Sequence, residues 1–344
     1  MNLLITGNMG YIGPVLSKYL NSKDNINIHG FDIGWFENET LGSYSIDKPT
    51  SQTVRDIRDL SLKDLEGIDA VIHLAAVSND PMGKEFATPT RQINLDASIN
   101  LIKMCHKLRI SKFIFASSCS VYGAGGILPK TENDEVMPIT EYAVSKIKFE
   151  NYLKEFSKDS DIQITCLRFA TAAGPSPRIR LDLVLNDFVT SALTTDKISI
   201  LSNGDPIRPI IDAEDMSRAF YWSLKRSGDN FEIFNTGLNE NNMTVLELAE
   251  SVQSIIPSAK ILVNKEAAPD KRSYRVNFDK FSNSLPDDMK LKHNISSIIK
   301  RLVSQLEHHS NDLQNFRNSL FIRHNKLREL KKSGILDSQL RIVK

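Results

Sequence analysis

Short apolar runs rich in β-branched residues recur through the first half of the chain, and segments of helical periodicity follow them. "NLLIT" precedes residues 11–21, "DAVIHLAA" precedes 90–108, "KFIFASS" precedes 140–156 and "IQITCLR" precedes 181–194, with "NINIHGFD" as a further run. This alternation predicts βαβ units. The runs are continuously apolar rather than alternating, as strands covered on both faces of a parallel sheet must be. The expected fold class is therefore α/β, a doubly wound parallel sheet. After about residue 170 the pattern loosens into the loop "AGPSPRIRLD", short strands around "KISILSNGDPIRPIIDAED" and the amphipathic "TVLELAESVQSII". These stretches predict a smaller, interleaved α/β lobe over 171–209 and 237–305, with 210–236 returning to the large domain of 1–170. Residues 306–344 carry apolar positions at helical spacing and a basic excess, and nothing catalytic is visible there. They are expected to form a C-terminal helical extension packed on its own domain or on a second subunit.

Charge excludes some partners. Lysine plus arginine number 43 against 42 acidic residues, so no global field argues for nucleic acid or a membrane surface. The three cysteines, Cys105, Cys119 and Cys166, are too few and scattered for a disulfide framework or a metal site, which fits a reducing compartment. The opening "MNLLIT" has no basic flank and too short an apolar run for a signal peptide or a membrane span. The expectation is a cytoplasmic protein.

The first apolar run leads into "TGNMGYIG", with glycines at 7, 10 and 13. In a Rossmann first turn such glycines make the tight bend, let backbone approach a pyrophosphate, and let helix and strand pack closely, while the helix N-terminus faces the phosphates. The second run ends in "HGFD", placing Asp32 nineteen residues beyond Gly13, where a carboxylate can accept hydrogen bonds from ribose hydroxyls. It would repel a 2′-phosphate, and no arginine follows in "DIGWF", so NAD is expected over NADP. The alternative is a strand-turn-helix with no ligand.

The spacing in "TGNMGYIG" resembles the TGxxGxxG fingerprint of the extended short-chain dehydrogenase/reductases, the NAD-dependent sugar-nucleotide epimerases and dehydratases. Further matches follow in order: "RDIRD", "HLAA" and the asparagine of "QINLDAS". The resemblance implies that Gly7, Met9, Gly10, Tyr11 and Ile12 of the turn contact NAD together with Asp32. It also implies that Asp56 and Ile57 flank the adenine, and that Leu74, Ala75, Ala76 and Asn94 line the cofactor. A homodimer, through a helix pair containing the Tyr142 helix, is implied as well.

Farther on, "ASSCSVYGAGG" precedes "ITEYAVSKIKFE", in which Tyr142 and Lys146 are four apart on a predicted helix and share a face. A tyrosine with a pKa of about 10 is a poor base at neutral pH, and an adjacent ammonium favours its phenolate. Ser118, at the end of the preceding strand, can hold a substrate oxygen while Tyr142 takes its proton and a hydride leaves the same carbon. The order of these residues resembles the family's Ser/Tyr/Lys triad, with Ser117 second in line for the serine role. Where the 4,6-dehydratases of the family resemble Asp-Glu, this chain has Cys119 and Ser120, so elimination lacks its acid and base. Both stand beside Ser118 in the expected substrate-contact set. For Cys119 a proton-transfer role and a small buried side chain remain alternatives, the latter favoured.

The segment "LRFATAAGPSPRIRLD" resembles the family stretch running from the nicotinamide into the substrate lobe. Ala173 stands where many relatives have an aromatic residue, which implies more room there. Arg208 and Arg272 match positions that hold a nucleotide-sugar pyrophosphate, chemistry that a planar guanidinium suits. Asn186 is a further expected phosphate contact, and Asp212 replaces a frequent histidine near Arg208. The resulting expectation is an NAD-dependent nucleotide-sugar epimerase working through a transient 4-keto sugar. The alternatives are a 4-oxidase or ketosugar reductase with the same triad, and a catalytically silent NAD-binding regulatory protein.

Overall fold

The computed structural model describes all residues except 24, 43–45, 268–271 and 344, and the side chain of residue 80. Its centre is a seven-stranded parallel sheet in the order Phe231–Thr236, Gln163–Phe169, Lys112–Ser118, Ala70–His73, Asn2–Thr6, Asn27–Asp32, Ser51–Val54. This is a Rossmann-like order, with the chain reversing its direction of growth between Asn2–Thr6 and Ala70–His73. Ligands in such sheets bind outside the carboxyl ends of the strands at this switch point.

The continuous apolar runs have the predicted cause. In the first strand Leu4 packs into a core with Val71, Phe113, Phe115 and Phe149 on one face, while Leu3 and Ile5 pack with Ile72, Ile114 and Leu167 on the other. Helices Ala97–Lys107 and Glu141–Phe156 cover the first face, and Gly13–Asn21 and Ala213–Lys225 cover the second. Burial on both faces leaves no place for polar alternation.

The smaller lobe gathers helices Val184–Thr195, Val245–Ile255 and Ile295–Leu306 around a third core. They pack with a three-stranded sheet, Asn242–Thr244, Ile207–Asp212 and Thr171–Ala173, and a parallel pair, Lys197–Ile200 with Lys260–Val263. Two boundaries differ from the sequence reading. The return to the large sheet begins at Ala213, because Ile207–Asp212 pairs within the small sheet. Gly126–Lys130, just after the strand bearing Ser118, pairs with Tyr274–Val276 rather than with the large sheet.

The C-terminal stretch contains one ten-residue helix, Arg323–Lys332, preceded by short turns and followed by a bridge between Leu336 and Ile342. Leu327, Leu330, Leu336 and Leu340 join the core of the large domain beside Phe31, Ile57 and Phe86. Of the two placements expected for it, the chain takes its own domain. No helix among the described residues is long and apolar enough to cross a membrane.

Candidate active site

A cavity of about 1190 Å³ opens at the carboxyl ends of the sheet strands and runs toward the smaller lobe. Its floor is the first turn. Gly7 has φ +76°, and a Cβ there would lie 2.6 Å from the Ala75 nitrogen; a Cβ on Gly13 would lie 1.9 Å from the Asn8 carbonyl oxygen. Only glycine lets this turn press against residues 74–76, just beyond the strand Ala70–His73, and lets the helix start so close behind it. Pro14 in the first turn of Gly13–Asn21 sits where a missing N–H costs nothing. Asp32 faces the same space, its carboxylate accepting from the Met9 amide at 2.9 Å and the Gly34 amide at 2.8 Å. Burial raises its pKa above the ordinary carboxylate value, against those amides and the nearby Arg178 and Arg323.

Gly7, Gly10, Tyr11, Ile12, Asp32, Asp56, Ile57, Leu74, Ala75 and Ala76 all line this cavity. A cradle without side chains, a helix N-terminus behind it and an acid at its rim fit a dinucleotide, so these residues are the ones that would hold NAD. Two sequence-assigned contacts lie elsewhere. Met9 is buried and contributes its amide to Asp32. Asn94 lies behind the wall: its Oδ1 accepts from the Val77 amide at 2.8 Å, and its Nδ2 donates to the Val77 carbonyl at 3.0 Å and to Ser145 Oγ at 3.3 Å. A π-helical turn at Gln92–Asp96 aims it there, fixing the cofactor wall to the Tyr142 helix.

Ser118, Tyr142 and Lys146 meet in the same cavity. Strand Lys112–Ser118 delivers Ser118 at its carboxyl end, where the hydroxyl accepts from the Ser120 amide at 3.1 Å. Helix Glu141–Phe156, capped by Thr140 on the Ala143 amide, delivers Tyr142 and Lys146 one turn apart. The Lys146 Nζ donates to the Ala116 carbonyl at 2.7 Å and lies 5.5 Å from the Tyr142 ring centre. Burial pulls the Lys146 pKa down to about 7, against the stabilising charge of Glu150. Ser117 is otherwise engaged, its hydroxyl donating to Glu150.

Several substrate-side expectations need correction. Cys119 is fully buried, faces the core, donates its thiol to the Arg168 carbonyl at 3.0 Å, and has a pKa pushed up by burial; it does not reach the cavity. Ser120 does line it, with its hydroxyl buried and unpartnered. Asn186 is fully buried among the Gly174 amide, the Arg180 carbonyl and the Tyr11 hydroxyl, tying the two lobes together rather than facing the cavity. Ala173 packs into the small-lobe core, and its neighbour Ala172 forms the wall. Asp212, in the place of the histidine frequent near Arg208, pairs with Arg301 at 2.7 Å and caps the following helix. Arg208 and Arg272 both line the cavity, and Arg208 Nη1 donates to the Arg272 carbonyl.

Other cavity residues escaped the sequence reading. Arg180 forms a forked pair with Asp182, at 3.0 Å and 2.8 Å, while its Nη1 donates to Ser78; Asn79 donates to the same Asp182. All four line the cavity. The signal was present in "SPRIRLD", whose charges interrupt an apolar stretch. Arg317, Ile322, Arg323 and His324, from the C-terminal stretch that looked functionally blank, form another wall. No local pattern announces them.

The model of the NAD dependent epimerase/dehydratase family matches residues 3–237. A putative UDP-glucose 4-epimerase of Methanocaldococcus jannaschii is 28% identical over 258 residues, 73% of this chain and 81% of that protein. A dTDP-4-dehydro-6-deoxyglucose reductase of Escherichia coli is 27% identical over 267 residues, 73% of this chain and 80% of the relative. Among solved structures, the UDP-N-acetylglucosamine 4-epimerase of Methanobrevibacter ruminantium M1, in complex with UDP-N-acetylmuramic acid, superposes with a TM-score of 0.73 at 25% identity. It covers 88% of this chain and 98% of its own.

Proposed function

The chain belongs to the NAD-dependent epimerase/dehydratase family of nucleotide-sugar enzymes, and on that premise we propose that it epimerises a nucleotide-sugar through a transient 4-keto sugar. The observation that carries this reading is the meeting of Ser118, Tyr142 and Lys146 in one cavity with the glycine turn and Asp32, while neither position after Ser118 presents a carboxylate. A Ser/Tyr/Lys set without an elimination acid supports redox at a single carbon rather than loss of water.

In this reading Ser118 holds the C4 hydroxyl and the Tyr142 phenolate removes its proton. NAD, the family's cofactor, would be held by the glycine turn and Asp32 and would supply the reversible hydride chemistry at C4 when bound. Tyr142 then gives the proton back. Lys146 favours the phenolate when charged, and its pKa near 7 makes that support dependent on pH in the neutral range. Arg208 and Arg272 hold the diphosphate of the nucleotide-sugar. The assembly in this reading is a homodimer seamed by a helix pair that includes Glu141–Phe156.

The test is a product assay with a panel of nucleotide-sugars. A C4 epimer without net change in NADH absorbance is expected, and Tyr142→Phe is expected to cut turnover about 10²–10⁴-fold. Net accumulation of NADH, or its consumption with a keto-sugar, would instead establish the oxidase or reductase reading, which the similarity to the Escherichia coli reductase favours. Turnover that survives Tyr142→Phe would sink both.

A further inference from the structure

The C-terminal stretch brings to the cavity a guanidinium that forms no direct ion pair among the described residues. Arg323, first residue of helix Arg323–Lys332, is 2% exposed and lines the cavity. Its Nη2 donates to the Arg178 carbonyl at 2.8 Å, and its guanidinium carbon lies 4.2 Å from the Phe36 ring centre. Its Nη1 is buried with no hydrogen-bond partner among the described residues. The carboxylates within electrostatic reach are engaged elsewhere: Asp182 by Arg180 and Asn79, Glu39 by Lys326, and Asp32 by two backbone amides. Two of the nearest charged groups, Arg180 and Arg178, repel it. Burial and Arg180 accordingly pull its pKa down to about 9.

A second donor on the same wall is in the same condition. The Trp35 indole Nε1–H is buried and unpartnered, and Trp35 lines the cavity beside Phe36 in the loop that follows Asp32. A buried cation with no ion pair of its own is costly, and an orphaned indole N–H adds to the cost. Both costs fall if an anion occupies the space that the two groups border. A guanidinium and an indole N–H that line one cavity, each next to the Phe36 ring, suit phosphate oxygens.

We propose that Arg323 and Trp35 bind a diphosphate, that of the dinucleotide, so that the C-terminal segment clasps the cofactor against the glycine turn. Two diphosphates can enter this cavity. Arg323 stacks on Phe36, in the loop that leads on from Asp32 and also carries Trp35, whereas Arg208 belongs to the strand Ile207–Asp212 of the smaller lobe. That placement selects the dinucleotide. The clasp is anchored on both sides, by His324 and Arg328 to Glu85 at 2.7 Å and 2.6 Å, and by Lys326 to Glu39 at 2.9 Å.

The experiment is calorimetric titration of the full-length, cofactor-free protein with ADP-ribose, adenosine and UDP, for the parent, Arg323→Gln, Arg323→Lys and Trp35→Phe. The expected result is at least a tenfold loss of ADP-ribose affinity in Arg323→Gln, a smaller loss in Arg323→Lys and Trp35→Phe, and adenosine and UDP affinities within twofold of the parent. Unchanged ADP-ribose affinity overturns the proposal. So does a loss confined to UDP, which assigns the guanidinium to the nucleotide-sugar, or an equal loss for adenosine and ADP-ribose with a lowered unfolding midpoint, which makes Arg323 structural. If Arg323→Gln does not fold, Arg323→Lys and Trp35→Phe decide, since each keeps most of the bulk and removes only part of the donor geometry.

Discussion

Lys146 combines a proposed role in proton transfer with a cost to the fold. Its ammonium is buried against the Phe115 ring, 4.6 Å from the ring centre, and burial holds its pKa near 7 where an unfolded chain would have about 10.4. Between those values the unfolded state binds more protons than the folded one, so stability rises with pH across that window. The penalty is complete below pH 7 and is relieved progressively as pH climbs toward the unfolded value. Replacing Lys146 with methionine removes both effects. Turnover is expected to fall by two orders of magnitude or more, and the difference in unfolding midpoint between variant and parent is expected to shift toward the parent from pH 6 to pH 9. Thermal melts of the ligand-free proteins at the two pH values check this. A difference that does not move with pH would mean that the amine is not held near 7. Tyr142 and Lys146 were readable from sequence because a spacing of four is a helical geometry. The neighbours that set the lysine's environment, Ala116 and Phe115, come from the strand Lys112–Ser118 and not from its own helix, and were not.

At the scale of elements, what aligns Ser118 with Tyr142 is a buried link between their strand and helix. Glu150, two turns beyond Tyr142, accepts from Ser117 on the Ser118 strand and from Arg168 Nε and Nη2 on the adjacent strand, the last at 2.7 Å. Arg168 also donates to the Tyr122 hydroxyl at 2.9 Å. Removing one partner of such a pair strands the other charge in the core. Glu150→Ala is expected to cost about 3–5 kcal/mol, and adding Arg168→Met is expected to recover a large part of it. Urea denaturation of the two variants measures both. Full additivity of the two losses would contradict the coupling. The main strands and helices of the first half were legible from periodicity; the edge strand Ser51–Val54, the helices Ala213–Lys225 and Ile295–Leu306, and the π-helical turn at Gln92–Asp96, which aims Asn94 at Val77 instead of the cavity, were not. One extra residue in a helical turn leaves no signature in hydrophobic spacing.

For the molecule as a whole, the C-terminal stretch is an integral part of the large domain rather than an appendage. Leu327, fully buried, joins the core that Phe31 and Phe86 share, and Arg58 donates to the Gln339 carbonyl at 2.8 Å, tying the last residues to the segment after Asp56. Leu327→Ala is expected to lower stability by about 2–5 kcal/mol in urea titrations. A loss under 1 kcal/mol would show the stretch to be peripheral. Because the same stretch walls the cavity, its loss is expected to weaken dinucleotide binding as well as folding.

The sequence by itself determined the sheet, its parallel sense, the glycine turn, Asp32 and the Ser118, Tyr142, Lys146 set, because each depends on spacing within a strand, a turn or a helix. Only the tertiary structure decided that Cys119 and Asn186 turn away from the cavity, that Asp212 pairs with Arg301, and that Arg323 reaches the cofactor end. Those outcomes depend on which residues far apart in the chain come to share a small volume of low polarity, where a cation, a thiol or an amide is fixed by the partners that folding brings to it.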